Sequence, residues 1–352
     1  MIVTLTPNPG VDRTYVVDAL LRGQVHRAAT DRIEAGGKGV NIARVLQANG
    51  REVRAVLPVG GPTGDSVMKL LEEEGVDVVG VPIAGDLRCN ITLTEPDGTV
   101  TKVNAGGPVI TPIEFEAIIR GTVDAVEAAA AAGGTRPVWF VGCGSLTPGA
   151  PDDLFARVIS RIRSDVHGHV RIAVDSSGPA LAAALRARPD IIKPNLSELE
   201  ELCARPLPTL GAVVDAAREL VDASVGVVLV SLGSEGALEV TADSVHHGEA
   251  PAAMVRTTVG AGDAMLAGHL SCDEDAPGAA LRRAVAFGAA AVQRPIGAVP
   301  GPDTIDVPAV ILTEGFEPSR PSRGDPSGGP VREGATEAAG SLGARGNRGE
   351  KQ

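Results

Sequence analysis

The chain has 352 residues, a formal net charge of -12 and only 2% aromatic side chains. That length supports a large core in one or two domains. The acidic balance excludes nucleic acid as the main partner, and the shortage of aromatics excludes a base-stacking platform.

Four cysteines, Cys89, Cys143, Cys203 and Cys272, fall without CxxC spacing, which suits a reducing compartment and speaks against a structural zinc site. Residues 1–6 carry no basic n-region, and no uninterrupted apolar run reaches membrane-spanning length. The expectation is a soluble, cytoplasmic protein with no membrane partner.

Taken in order, residues 2–6 read as a short β-branched strand that Pro7-Asn8-Pro9-Gly10 must end. Asp12 and Arg13 are then expected on a loop at the strand's C-terminal edge, where open α/β sheets bind ligands. Next, Gly36, Gly37 and Gly39 surround Lys38, and an apolar-periodic helix follows to about Asn49, with Gly50 as its stop. This loop can cradle a phosphate or a polyol. It is not a Walker A loop, because Gly39 follows the lysine where Ser or Thr is needed. Residues 88–95 alternate, Pro96-Asp97-Gly98 turns, and residues 99–104 alternate back, which predicts a hairpin that must pack on something larger.

The second half alternates strand-like runs at 138–141, 170–174, 190–193 and 226–231 with helix-like runs, the signature of βαβ units and a mainly parallel sheet. Asn195 and Glu198 are spaced as a capping box. The stretch Thr257-Thr258-Val259-Gly260-Ala261-Gly262-Asp263 reads as a glycine turn opening a helix. Such a start is an anion site through its free N–H groups and macrodipole. After Leu312 the large apolar residues thin out, and residues 313–352 are expected to be a disordered, low-complexity tail.

Two of these stretches, Ala35-Gly-Gly-Lys-Gly-Val-Asn41 and Thr258-Val-Gly-Ala-Gly-Asp263, resemble the two signatures of the ribokinase-like sugar kinases, the phosphofructokinase-B branch. Thr6-Pro-Asn-Pro-Gly-Val-Asp12, Lys193-Pro-Asn-Leu-Ser-Glu198 and Ser231-Leu-Gly-Ser-Glu-Gly236 resemble its 1-phosphofructokinase and tagatose-6-phosphate kinase subgroup. The resemblance implies an α/β fold, a three-layer α/β/α domain over 1–312 with a mainly parallel central sheet and a small β lid from about 10–35 and 86–107.

It also implies roles. Asp263 is the catalytic base, and Gly260, Ala261 and Gly262 form the anion hole. Asp12, Gly37, Lys38 and Asn41 hold the sugar, while Arg27, Arg88, Asn90 and Lys102 are candidates for the phosphate already on the substrate. Lys193, Asn195, Ser231, Leu232, Gly233, Ser234, Glu235, Gly236 and Gly262 lie along ATP. Glu198 serves Mg2+, through water. The implied reaction is ATP-dependent phosphorylation of a sugar phosphate, with fructose 1-phosphate first and tagatose 6-phosphate or fructose 6-phosphate as alternatives. The implied assembly is a homodimer through the lid.

Two departures stand out. Thr257 occupies a position that is often Asp, and acids at Asp273, Glu274 and Asp275 cut the helix after Asp263 short. The second keeps open a weakly catalytic, sugar-phosphate-binding homologue. A dinucleotide-dependent oxidoreductase is disfavoured, since no GxGxxG opens a first βα unit.

Overall fold

The computed structural model of the chain describes residues 1–133, 136–251, 254–274 and 276–322. The first half runs β1 (Ile2–Leu5), β2 (Gly10–Val16), β3 (Thr30–Gly36), α1 (Lys38–Ala48), β4 (Val53–Val59), α2 (Gly61–Glu73), β5 (Asp77–Pro82), β6 (Arg88–Thr94) and β7 (Val100–Val103). Next come α3 (Pro112–Ala131), β8 (Val138–Cys143), α4 (Leu154–Asp165), β9 (Val170–Asp175), α5 (Gly178–Leu185), β10 (Ile191–Ile192) and α6 (Leu196–Cys203). The chain continues with α7 (Leu210–Asp222), β11 (Val227–Ser231), β12 (Ala237–Val240), β13 (Val245–Glu249), α8 (Ala261–Leu270), α9 (Ala279–Val292) and β14 (Ile311–Glu314).

The main sheet has the order β14-β13-β12-β11-β10-β9-β8-β1-β4-β5. From β11 to β5 every neighbouring pair is parallel, and the β12–β14 end is antiparallel. Both faces are covered, as a parallel sheet requires. Alternation splits the core: Val3, Leu5 and Val56 pack with Ile118, Phe140 and Phe155 on one face. Ile2, Ala55 and Leu57 pack with Ile42, Leu46 and Phe287 on the other. Helices α3–α7 supply the first layer and α1, α2, α8 and α9 the second. This is the three-layer α/β/α architecture.

Strand β1 has β4 on one side and β8 on the other. The chain works outward from β1 to β5, returns to β8, and then builds the other half. The loops leaving β1 and β8 therefore diverge, opening the crevice in which α/β sheets bind ligands. Helix α1 starts there. Gly37 has φ 125, and a Cβ on it would lie 2.7 Å from the Thr6 methyl group. A Cβ on Gly39 would lie 2.5 Å from Thr6 Oγ1 and 3.2 Å from the Leu5 carbonyl. Glycine at both positions lets the helix start against the end of β1.

The second sheet, β3-β2-β6-β7, contains more than a two-strand ribbon. Asp12 and Arg13 lie on β2, not on a loop as the local sequence suggests. Residues 10–16 do not alternate strictly, so their strand state comes from pairing: β2 is flanked by β3 and β6 over its whole length.

The tail does not begin at 313. Thr313 and Glu314 belong to β14, which pairs with β13. Phe316 packs against the core. Residues 317–322 bond to the start of α7. Polar composition hides this segment because backbone groups make most of its contacts. Residues 323–352 lie outside the described residues. No helix among the described residues is long and apolar enough to cross a membrane.

Candidate active site

Helix α8 opens at Gly260, which takes the left-handed conformation (φ 76). The helix that follows is buried from Asp263 through Leu270. Its partner is α9, and Gly268 allows the approach: a Cβ there would come within 2.8 Å of the Phe287 ring and the Arg283 carbonyl. Helix α8 ends at Leu270, ahead of Asp273 and Glu274, and is not exposed. Ser271 closes it, donating to the Gly268 carbonyl at 2.9 Å and accepting from Arg283 at 2.8 Å. The first turn of α8 therefore sits on a buried mount, with the Ala261 amide donating to the Thr258 carbonyl at 3.4 Å.

Asp263 stands in that first turn with its carboxylate buried. Asn41, on α1, donates from Nδ2 to Asp263 Oδ2 at 2.8 Å. Burial, with the negative charge of Asp175 beside it, pushes the Asp263 carboxyl up to about 6, against the opposing pull of Lys38, Asn41 and Lys193. A carboxylate so tuned accepts a proton near neutral pH.

Two lysines meet on one carboxylate. Lys38 Nζ donates to Asp175 Oδ1 at 2.8 Å, and Lys193 Nζ lies 3.2 Å from Asp175 Oδ2. Burial acts to lower the Lys38 pKa, but Asp175, Glu198 and Asp263 outweigh it and hold the ammonium charged. Lys193 reaches the start of α8, where a Cβ on Gly262 would lie 3.1 Å from its Nζ. A larger residue at 262 would press on Lys193. Asp175 joins this cluster without any mark in the sequence that singles it out. It is an acid at the end of a βαβ strand, followed by Ser176-Ser177-Gly178, and composition alone does not separate that from a turn.

Asn195 and Glu198 make both halves of the capping box, each bond 2.8 Å long. Glu198 also accepts from Lys38 at 3.4 Å. A parallel bridge joins Asn195 to Ser231, which brings the loop of Leu232, Gly233, Ser234, Glu235 and Gly236 beside the start of α6. That loop is one 3-10 turn closed by Leu232 N–H donating to the Gly236 carbonyl at 2.9 Å.

The second group of residues lies on the small sheet. Strand alternation places Arg88, Asp12, Asn90 and Lys102 on one face, with Arg88 opposite Gly10, Asn90 opposite Asp12 and Lys102 opposite Thr92. Asn90 donates to Asp12 at 2.8 Å and accepts from the Ala105 amide at 3.2 Å. Arg88 is half-buried and its Nε is a buried donor without a partner among the described residues. Burial lowers its pKa, with Asp12 opposing. Gly36 abuts Asp12 and Gly37-Lys38 follows it directly, so chain continuity links the two groups. Arg27 is exposed on the β2–β3 connection and, among the described residues, bonds into neither group.

Among the described residues no cluster of three His, Cys, Asp or Glu could hold a metal ion. The carboxylates here are already shared with lysines and amides. Such a donor set fits an ion that arrives on phosphate oxygens, keeps its waters and touches one carboxylate, as Mg2+ does.

A three-layer fold of this kind, with a small second sheet, is shared with the ribokinase-like kinases. Ribokinase from Arabidopsis thaliana, solved with ribose and ATP, aligns over 86% of this chain and 96% of its own at a TM-score of 0.66 and 22% identity, a likeness of fold. The phosphofructokinase-2 of Escherichia coli, solved with substrates and products, aligns over the same shares at a TM-score of 0.79 and 30% identity. The 1-phosphofructokinase of Rhodobacter capsulatus is 35% identical over 268 residues, 76% of this chain and 82% of that one. Residues 8–303 match the model of the pfkB family carbohydrate kinases. The chain belongs to the pfkB family, and as a kinase it transfers a phosphoryl group to an alcohol.

Proposed function

We propose that the protein phosphorylates the 6-hydroxyl of fructose 1-phosphate with ATP, giving fructose 1,6-bisphosphate, in the cytoplasm and as a homodimer joined through the small sheet. The observation that carries the chemistry is the buried Asp263, held by Asn41 at the N-terminus of α8 with Lys193 alongside. The similarity to 1-phosphofructokinases supports the choice of substrate.

Phosphoryl transfer asks the protein for alignment and charge neutralisation more than for covalent help. Asp12, Asn90, Lys38 and Asn41 orient the sugar so that its free hydroxyl meets Asp263. Asp263 accepts the hydroxyl proton as attack proceeds. The amides at the start of α8 and the Lys193 ammonium, fixed before the reaction, take up charge on the moving phosphoryl group without reorganising. Residues 231–236 receive the nucleotide, with Asn195 and Glu198 at its phosphates. Mg2+ when bound neutralises phosphate charge there, and Glu198 would hold it through water. The small sheet excludes water, so that ATP is not spent on hydrolysis. Arg88 pairs with the phosphate already on the substrate; its orphaned Nε and guanidinium fork suit that anion.

ADP release measured over a panel of sugars and sugar phosphates tests the reading, with Arg88→Ala beside the wild type. Fructose 1-phosphate should be the preferred acceptor. In Arg88→Ala its KM should rise about tenfold or more, about 1.4 kcal/mol, with the ATP KM far less changed. Unphosphorylated fructose should lose almost nothing. Equal losses for fructose and fructose 1-phosphate would mean that Arg88 supports the small sheet and does not read the phosphate. A better turnover of tagatose 6-phosphate or fructose 6-phosphate would overturn the substrate.

A further inference from the structure

The segment Gly315–Ser322 crosses the molecule where the sequence suggests only a tail. It leaves β14, and Gly315 donates to the Val245 carbonyl at 2.7 Å. It then caps a helix that is distant in sequence. Helix α7 begins at Leu210, and its first amides need acceptors. Gly211 donates to the Pro318 carbonyl at 3.0 Å and Leu210 to the Arg320 carbonyl at 2.9 Å. Ser322 returns a bond to the Pro208 carbonyl at 3.0 Å. Position 211 has to be small: a Cβ there would stand 3.0 Å from the Pro318 oxygen.

This capping fixes the backbone of Arg320 and so aims its side chain. The guanidinium lies 3.4 Å from Glu235 and 2.8 Å from Glu249. Glu235 ends the 3-10 turn of the 232–236 loop, and Glu249 ends β13. His247, also on β13, contacts the Glu235 carbonyl through Nε2 at 2.9 Å. The loop is therefore pinned by its backbone from β13 and by its Glu235 side chain from the C-terminal segment.

We propose that Gly315–Ser322 is a strap whose Arg320 is a positioning residue, holding the 232–236 loop in the shape that receives the nucleotide. The inference rests on the assignment of that loop to ATP. It adds a determinant of nucleotide affinity that lies beyond the 8–303 span matching the family model. Arg320 acts through Glu235 and touches no reacting atom. The Glu249 contact keeps the guanidinium in place while Glu235 adjusts to a ligand.

The test compares wild type, Arg320→Met and Arg320→Lys as full-length proteins. In Arg320→Met the ion pairs to both Glu235 and Glu249 go; the KM for ATP should rise about fivefold, the effect of losing the one that reaches the loop, with kcat and the sugar-phosphate KM within about twofold of wild type. Arg320→Lys should recover part of the loss. Amide hydrogen exchange in 232–236 should quicken in Arg320→Met and stay unchanged in the core strands. An unchanged ATP KM, unchanged exchange in the loop, or equal losses for both substrates would overturn the role of Arg320 while leaving the kinase standing. A wild-type protein that consumes no ATP with any sugar phosphate would overturn the kinase reading itself, and the nucleotide role with it.

Discussion

Asp263 concentrates the residue-scale chemistry. Asp263→Asn keeps the shape and removes the proton acceptor, so kcat should fall by about 10²–10⁴ with sugar-phosphate binding largely kept. Near-normal turnover of the purified variant would remove Asp263 from the base role. In the wild type, kcat/KM should decline below about pH 6, where the carboxyl takes up its proton. The same shift carries a stability cost. The folded-state pKa is raised, so between the ordinary carboxylate value and about 6 the native protein binds more protons than the unfolded chain. Stability therefore falls as pH rises through that window. At pH 7 the Asn variant should be more stable than wild type, by up to about 3 kcal/mol, and the difference should close near pH 4. Denaturant unfolding at the two pH values checks the sign. A variant less stable at pH 7 would show that the Asp263 carboxyl is not raised in the folded protein.

At the scale of elements, the strap reverses an expectation. Its composition reads as tail, yet ending the chain after Leu312 cuts β14 short, uncovers the core beside Phe316 and leaves the first amides of α7 without their acceptors. Partial burial of one Phe is worth about 1–2 kcal/mol, so Tm should drop by about 5 °C once the lost caps are added. A melting curve matching the full-length protein would show that these contacts add nothing. Helix α8 gives the opposite lesson. Its amphipathic signal is weak because it is buried all round, so its reality rests on the glycine turn before it and on the packing of α9.

At the scale of the molecule, the small sheet has two unlike faces. One carries Arg88, Asp12, Asn90 and Lys102. On the other, Ile33, Arg13, Ile91 and Val103 stand in one cross-strand row, with Tyr15 and Leu93 one row on. Ile33, Ile91 and Val103 are 42%, 36% and 58% exposed. Apart from Arg13, which pairs with Asp31, this face is largely apolar; left open this way it calls for a cover, and a second copy of the same sheet supplies one. Sedimentation at micromolar concentration should show a dimer, and Ile91→Asp should shift it to monomer. A wild-type monomer under those conditions would count against the assembly.

The sequence by itself determined the alternation of strands and helices, the glycine turn before Asp263, the lysine loop at the start of α1 and the capping box at Asn195. Each depends on neighbours within about one helical turn or one strand, where local propensity and periodicity act. Only the tertiary structure decided that Asp12 sits on a strand, that Asp175 joins Lys38 to Lys193, and that residues 315–322 cap α7 and reach Glu235. The physical reason is common to all three. Their stabilising partners are backbone groups or charges far away in the chain, so the contacts that fix them leave no periodic trace in the residues themselves.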